Sequence, residues 1–346
     1  MKSITSLAVV AAFAASAVHA NDPTLTIASW GGSYQEAQSK ALFQPASQNT
    51  GISIKEETYG GMSDVRLQVS TGQVTLDIVV SGSGSASRAA AEGLLEELDY
   101  SVIDVSSFYP GLYSDHCVGG DVFSTVYAWN TDKFGESGPQ SWADFFDVEK
   151  FPGTRAYRGK VAGALEPALM ADGVAPEDVY AVLDSEEGIE RAINKIRELK
   201  PNIAVFWTSG AQQAQLMKDA EVDMTTGWNG RFDNAKADGA KVAYSFNQAL
   251  LDYDCFAIPK GAPNKDLAMK FLAEISKPEY QDDLPKYITY GPTNKAAYET
   301  GVIDAATAAG LPSSPENAAM QLPISLEWYA KWETTAAEMY QEMLTE

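Results

Sequence analysis

The side chains with chemical reach in this sequence are few, and they gather where strands break at glycine. Trp30 precedes Gly31-Gly32, Trp207 precedes Thr208-Ser209-Gly210, and Trp228 precedes Asn229-Gly230-Arg231. Asp252 and Asp254 stand two apart, so in an extended segment both carboxylates face the same way. Glu166 lies within Gly163-Ala164-Leu165-Glu166-Pro167. An aromatic face attracts a cation by about 0.5–2 kcal/mol, and a carboxylate holds an ammonium through a charge-assisted hydrogen bond worth about 1.5–3 kcal/mol. Together these residues can hold a small organic amine. Each tryptophan could instead be a core aromatic, but each sits at a strand end beside a break and not in a periodic apolar stripe, which favours lining a site.

Other chemistry has little to work with. Two cysteines and two histidines in 346 residues leave no ligand set for a zinc or cysteine cage. No Gly-x-Ser-x-Gly elbow is present, so the acid–base candidates of any enzyme would be carboxylates such as Asp252, Asp254 and Glu166. The run Ser81-Gly82-Ser83-Gly84-Ser85 looks like an anion cradle and puts Ser83 among the candidate ligand-binding residues, but it lacks the Lys-Ser/Thr ending of a phosphate loop. With 25 Lys and Arg against 47 Asp and Glu, a net charge of −22 excludes an ordinary nucleic-acid binder. A composition 45% hydrophobic and 21% charged belongs to a folded chain with a large core.

Residues 1–20 carry Lys2, an apolar run from Ile4 to Ala17, and Val18-His19-Ala20, the pattern of a secretory signal peptide cleaved after Ala20. The run is too short and Ala-rich for a membrane span. No cysteine follows it, so a free, exported periplasmic protein is expected, with His116 as its one histidine.

The elements that must position the candidate residues follow a repeated plan. Leu25–Ala28, Thr75–Val80, Asn202–Phe206 and Asp223–Thr226 each read as a strand running into a Gly, Ser or Trp loop and then a helix start; Ser33 and Glu36 have the form of a capping box at the first of these. In open α/β sheets, ligands sit beyond the carboxyl ends of strands, where helix N-termini converge. Two such junctions before residue 100 and two after residue 200 predict two α/β lobes facing across a cleft. A β-type run covers Val122–Trp129, and Phe256–Pro259 reads as a late strand. Helical spacing recurs at Ile189, Ala192, Ile193 and Ile196, ended by Pro201, and at Ala268, Phe271, Leu272 and Ile275; Ser325–Leu344 reads as a closing helix.

In Ala28-Ser29-Trp30 with Tyr34, Asp77-Ile78-Val79-Val80, Ser141-Trp142-Ala143-Asp144, Trp228-Asn229-Gly230, Asp254-Cys255-Phe256-Ala257-Ile258-Pro259 and Tyr290-Gly291-Pro292-Thr293, the chain resembles the periplasmic solute-binding proteins of ABC importers, in their polyamine (spermidine/putrescine) branch. The resemblance implies an α/β, two-lobed periplasmic-binding-protein fold (type II), with hinged lobes around a central cleft. One lobe comprises residues 21–127 with 256–310, the other residues 128–255 with 311–346. It implies a monomeric, non-enzymatic binding protein without cofactor or metal that delivers its ligand to an ABC permease in the inner membrane. By position, Trp30, Tyr34, Trp228, Asp254 and Tyr290 carry ligand contacts, joined by Ser83, Glu166, Trp207 and Asp252. It also implies that Cys117 and Cys255 lie on adjacent strands, where an exported protein forms a disulfide.

The chain also departs from the polyamine pattern. Gly84 or Ser85 stands where polyamine binders carry a tyrosine, and Arg158 and Lys160 stand where they carry an acidic pair, with Glu166 the nearest carboxylate. A polyamine such as putrescine or spermidine is the first expectation for the ligand. A zwitterion of amino-acid type, a guanidino compound or an aminophosphonate is the alternative, followed by a secreted carboxylate-dependent enzyme on the same scaffold.

Overall fold

The computed structural model describes residues 23–346; the predicted signal peptide lies outside the described residues. Ten strands are present among them: β1 (Thr24–Ser29), β2 (Ser53–Thr58), β3 (Ile78–Gly82), β4 (Tyr113–Ser114), β5 (Cys117–Asn130), β6 (Arg155–Arg158), β7 (Ile203–Trp207), β8 (Met224–Trp228), β9 (Val242–Ala257) and β10 (Leu322–Pro323). They join in the order β2-β1-β3-β9-β5-β8-β6-β7, with β10 on β9 and β4 on β5. The outer strands pair in parallel, as strand–helix–strand crossovers require. The central pair β5 and β9 is antiparallel, 14 and 16 residues long.

The eight helices that matter for the site are α1 (Gly32–Gln38), α2 (Ser83–Ala91), α3 (Leu165–Ala171), α4 (Glu186–Leu199), α5 (Gly210–Lys218), α6 (Asn229–Ala237), α7 (Lys265–Ile275) and α8 (Leu326–Thr345). The periodic apolar residues of α4 and α7 are wholly buried, as their spacing predicts. Ser185 accepts the Gly188 N–H at 3.1 Å to cap α4, and Ser325 accepts the Trp328 N–H at 3.2 Å to cap α8.

The fold is α/β and two-lobed. One core gathers Leu25, Ile27, Phe43, Val80, Phe123, Phe256, Phe271 and Tyr290; another gathers Tyr127, Trp142, Tyr157, Ile189, Ile193, Trp328 and Tyr340. Phe123 and Tyr127 share β5 but belong to different cores, so this strand serves both lobes. Its partner β9 shifts register alongside: Leu250 opposes Thr125, whereas Ser245 opposes Tyr127. At that irregularity Gln248 has φ 60°, held by its N–H to Met320 O and by the Trp142 indole to its carbonyl, both at 2.8 Å. Cys117 and Cys255 form a disulfide, with Cα atoms 5.7 Å apart.

Three local features differ from the sequence expectation. No capping box forms at α1: the N-cap is Gly31, whose N–H donates to Gln35 Oε1 at 3.1 Å, while Ser33 Oγ accepts from Arg231. The Ser81–Ser85 stretch is not a loop, because β3 passes directly into α2; a Cβ at Gly84 would stand 2.8 Å from Tyr329 Cγ, so glycine lets α8 close against that helix start. The late strand begins at Val242, far ahead of Phe256, because pairing with the long β5 sustains a segment whose own periodicity is weak.

Candidate functional site

The strand–helix junctions bring the candidate residues together. At the end of β1, Gly31 and Gly32 take φ of 70° and 60°, and a Cβ on Gly32 would come within 3.1 Å of Arg231 Nη1. Glycine here permits both the left-handed turn and the approach of the arginine. Tyr34, one helical turn on, is buried and donates its hydroxyl to Asp121 Oδ2 at 2.6 Å while accepting from Gln38 Nε2 at 2.9 Å. Ser29 Oγ donates to Gln38 Oε1 at 2.6 Å and anchors that relay.

Asp121 lies on β5 directly opposite Asp254 on β9. Burial raises Asp254 to about 6, opposed by hydrogen bonding to Tyr34, the charge of Arg231 and hydrogen bonding to Trp30. Burial also raises Asp121 well above the ordinary carboxylate range, with the charge of Asp254 adding to it. Asp252, two residues earlier on β9, is raised by burial to about 7, although Ser83 Oγ and the Tyr253 N–H donate to its Oδ1 at 2.6 and 2.7 Å. Glu166 on α3 is buried in a neighbouring cluster, where Tyr329 and Tyr180 donate to its Oε1 at 2.8 and 3.1 Å.

Arg231 on α6 faces these acids, and Arg158 on β6 lies across the aromatic rings from them. The Arg158 guanidinium lies 4.5 Å from the Trp207 ring centroid and 4.8 Å from that of Trp228. Its Nη1 is buried without a hydrogen-bond partner, and burial lowers its pKa to about 10. Arg231 lies 5.7 Å over the Tyr34 ring, donates from Nη1 to Ser33 Oγ at 3.3 Å, and has a buried, unpartnered Nε. Trp207 is fully buried, with its indole on Thr226 Oγ1 at 3.2 Å, so it reaches the site by supporting Arg158 and Trp228. Tyr290 packs against Tyr34 and Phe123, each at 5.6 Å between centroids, and Phe123 meets Trp228 edge-on at 6.1 Å. Trp30 stacks on Tyr59 at 5.2 Å.

Asp121 and Tyr59 were absent from the sequence-based set. An acid inside the apolar β run Gly119–Trp129 was the available signal for Asp121, since a charge in a strand interior requires a partner or a use. Among the described residues, no cluster of three or more His, Cys, Asp or Glu is arranged to hold a metal. Chemically, the arrangement is dipolar: acids on β5 and β9, guanidinium groups on β6 and α6, and aromatic rings between them.

This two-lobed scaffold, with its dipolar cluster of acids, guanidinium groups and aromatic rings, is that of a solute-binding protein. The family described as bacterial extracellular solute-binding protein matches residues 41–311, and the chain belongs to it. It is 39% identical over 308 residues to the gamma-aminobutyric acid-binding protein of Pseudomonas aeruginosa, covering 88% of this chain and 86% of that one. It is 25% identical over 294 residues to the spermidine/putrescine-binding periplasmic protein of Escherichia coli, covering 82% and 81% respectively. Its fold superposes on the PBP MotA from A. tumefaciens B6 in complex with glucopine with a TM-score of 0.90 at 44% identity, covering 92% of this chain and 99% of that one. The chain is therefore the binding component of an ABC importer, a carrier of a small solute and not an enzyme.

Proposed function

We propose that this protein captures a small zwitterion of amino-acid type, with an amine and a carboxylate on one skeleton, and hands it to its membrane permease from the periplasm. The observation that carries this reading is Arg158: a half-buried arginine stacked on two tryptophans, whose buried Nη1 has no protein partner. A buried charge with an open donor is costly unless a ligand completes it, and a carboxylate fits a guanidinium fork. Asp254 serves the amine end, with Trp30, Tyr34, Trp228 and Tyr290 covering the apolar skeleton between the charges. The named ligands of the gamma-aminobutyric acid and glucopine binders support this chemistry. A polyamine has cationic ends only and leaves Arg158 facing like charge.

Calorimetry of the mature protein with gamma-aminobutyrate and with putrescine tests the assignment. The amino acid is expected to bind stoichiometrically and raise the melting temperature, whereas the diamine does neither. If putrescine binds as tightly as the amino acid, the polyamine reading is restored.

A further inference from the structure

Asp121 and Asp254 are an opposed pair on adjacent antiparallel strands, so both side chains project from the same face of the sheet. Tyr34 lies on that face, bonded to Asp121. Neither acid is open to bulk water: Asp121 is 0% exposed and Asp254 8%. The surrounding donors are too few for two anions. Tyr34 has a single hydroxyl proton, donated to Asp121 Oδ2 at 2.6 Å and also within reach of Asp254, so it can serve only one of the two acids, and its oxygen is occupied by Gln38. Arg231, the cation facing the pair, directs Nη1 to Ser33 and lies over the Tyr34 ring. Trp30 offers one neutral indole to Asp254. Asp252 adds a further acid from β9, and Tyr59 and Tyr290 face the pair from beyond β2 and from the segment after α7. Asp121 Oδ1 is buried with no partner.

We infer that Asp121 and Asp254 form a single ammonium site and share one proton when no amine is present, and that a protonated amine expels this proton on binding. The inference rests on the zwitterion reading above and assigns Asp121 to its amine end. The balance is simple: the ligand R–NH3+ keeps its three protons and donates N–H bonds to Asp121 Oδ1 and to Asp254. The carboxylic O–H bond of the pair breaks, its electrons stay on the carboxylate, and the proton passes to the buffer. The pair then carries two negative charges against the ligand's one positive charge. Two carboxylates this close to one another do not both ionise in a buried site without such a cation. Burial, which raises both acids, keeps the shared proton in place near neutral pH. Affinity for the amine accordingly rises with pH until the amine itself loses its charge.

Calorimetry with gamma-aminobutyrate in phosphate and in Tris at about pH 7 is expected to give enthalpies that differ by the ionisation of about one buffer molecule per ligand bound. Asp121→Asn retains an oxygen for the Tyr34 hydroxyl; it should abolish the buffer dependence and weaken binding by about tenfold or more. Equal enthalpies in the two buffers with stoichiometric binding overturn the shared proton and leave zwitterion capture standing. The infrared spectrum of the ligand-free protein tests the pair without any ligand. A protonated-carboxyl band at about pH 7 should diminish in Asp121→Asn and, as an independent variant, in Asp254→Asn; a band unchanged in both overturns the inference. Failure of gamma-aminobutyrate to bind counts against the functional reading alone, with the infrared result still deciding the pair.

Discussion

Arg155 and Arg158 begin and end the same four-residue strand, and they are completed in opposite ways. Arg155 is fully buried, and its guanidinium donates to four carbonyls: Phe145 O and Asp147 O at 3.3 Å, Gly153 O at 2.6 Å and Phe151 O at 2.5 Å. Arg158 is half-buried, packs on Trp207 and Trp228, and leaves Nη1 unpartnered. The carboxylates divide in the same manner. Asp77 accepts the Thr26 and Asn264 N–H groups at 2.8 and 3.0 Å, whereas Asp121 keeps one oxygen bare. Arg155 and Asp77 complete their hydrogen bonds within the chain; Arg158 and Asp121 do not. Incompleteness of this kind distinguishes the two arginines although type and strand are shared.

Substituting the two arginines is the most direct way to break that comparison. Arg155→Met leaves four buried carbonyls without their donor and is expected to cost about 3–5 kcal/mol of stability, read as a lower urea midpoint, with ligand affinity of the folded protein unchanged. Arg158→Met should show the converse: affinity for gamma-aminobutyrate lower by about 2–4 kcal/mol, or about 30- to 1,000-fold, and a ligand-free melting temperature unchanged or raised. Equal effects of the two variants on stability would erase the distinction.

A smaller effect sharpens the comparison for the acids. Burial raises Asp252 to about 7 and Asp254 to about 6, so between the unfolded carboxylate range and those values the folded state binds more protons than the unfolded. Their contribution is fully present below about pH 4 and is lost as pH rises to about 7. Structural acids carry the opposite sign. Glu96, held by Lys265, the Gly261 N–H and Lys260 against the cost of its burial, is lowered to about 2, and its contribution is lost as pH falls toward that value. The ligand-free protein should therefore lose a few kcal/mol between about pH 5 and 7. Thermal melts of Asp252→Asn/Asp254→Asn should show a shallower decline, with Asp121 supplying what remains, and retain the acid-limb loss; a decline of undiminished slope assigns it to other groups.

Much of the scaffold was legible because its signals are local. The apolar spacing of α4 and α7 and the break from strand to helix at Trp30, Trp207 and Trp228 are written over a few residues each, where periods of 2 and 3.6 are distinct. Trp30, Tyr34, Trp228, Asp254 and Tyr290 were named by the family resemblance, with Trp30, Trp228 and Asp254 also marked by aromatic or acidic chemistry, and the fold brings them near one another. The predicted capping box failed for a non-local reason: Ser33 meets Arg231, 198 residues away in the chain, and no reading of residues 31–36 contains that contact.

The sequence by itself determined the two α/β lobes, the strand–helix junctions at which a ligand would sit, and the residue types on offer there, because each depends on neighbours along the chain. Only the tertiary structure decided which charges are complete. The register of β5 against β9, shifted between Gly119 and Asp121, sets Asp121 opposite Asp254. The packing of β6 against β7 and β8 brings Arg158 to two tryptophans distant in sequence. A side-chain period of two means that a one-residue change of register would turn Asp121 to the other face, and that register is fixed by long-range pairing.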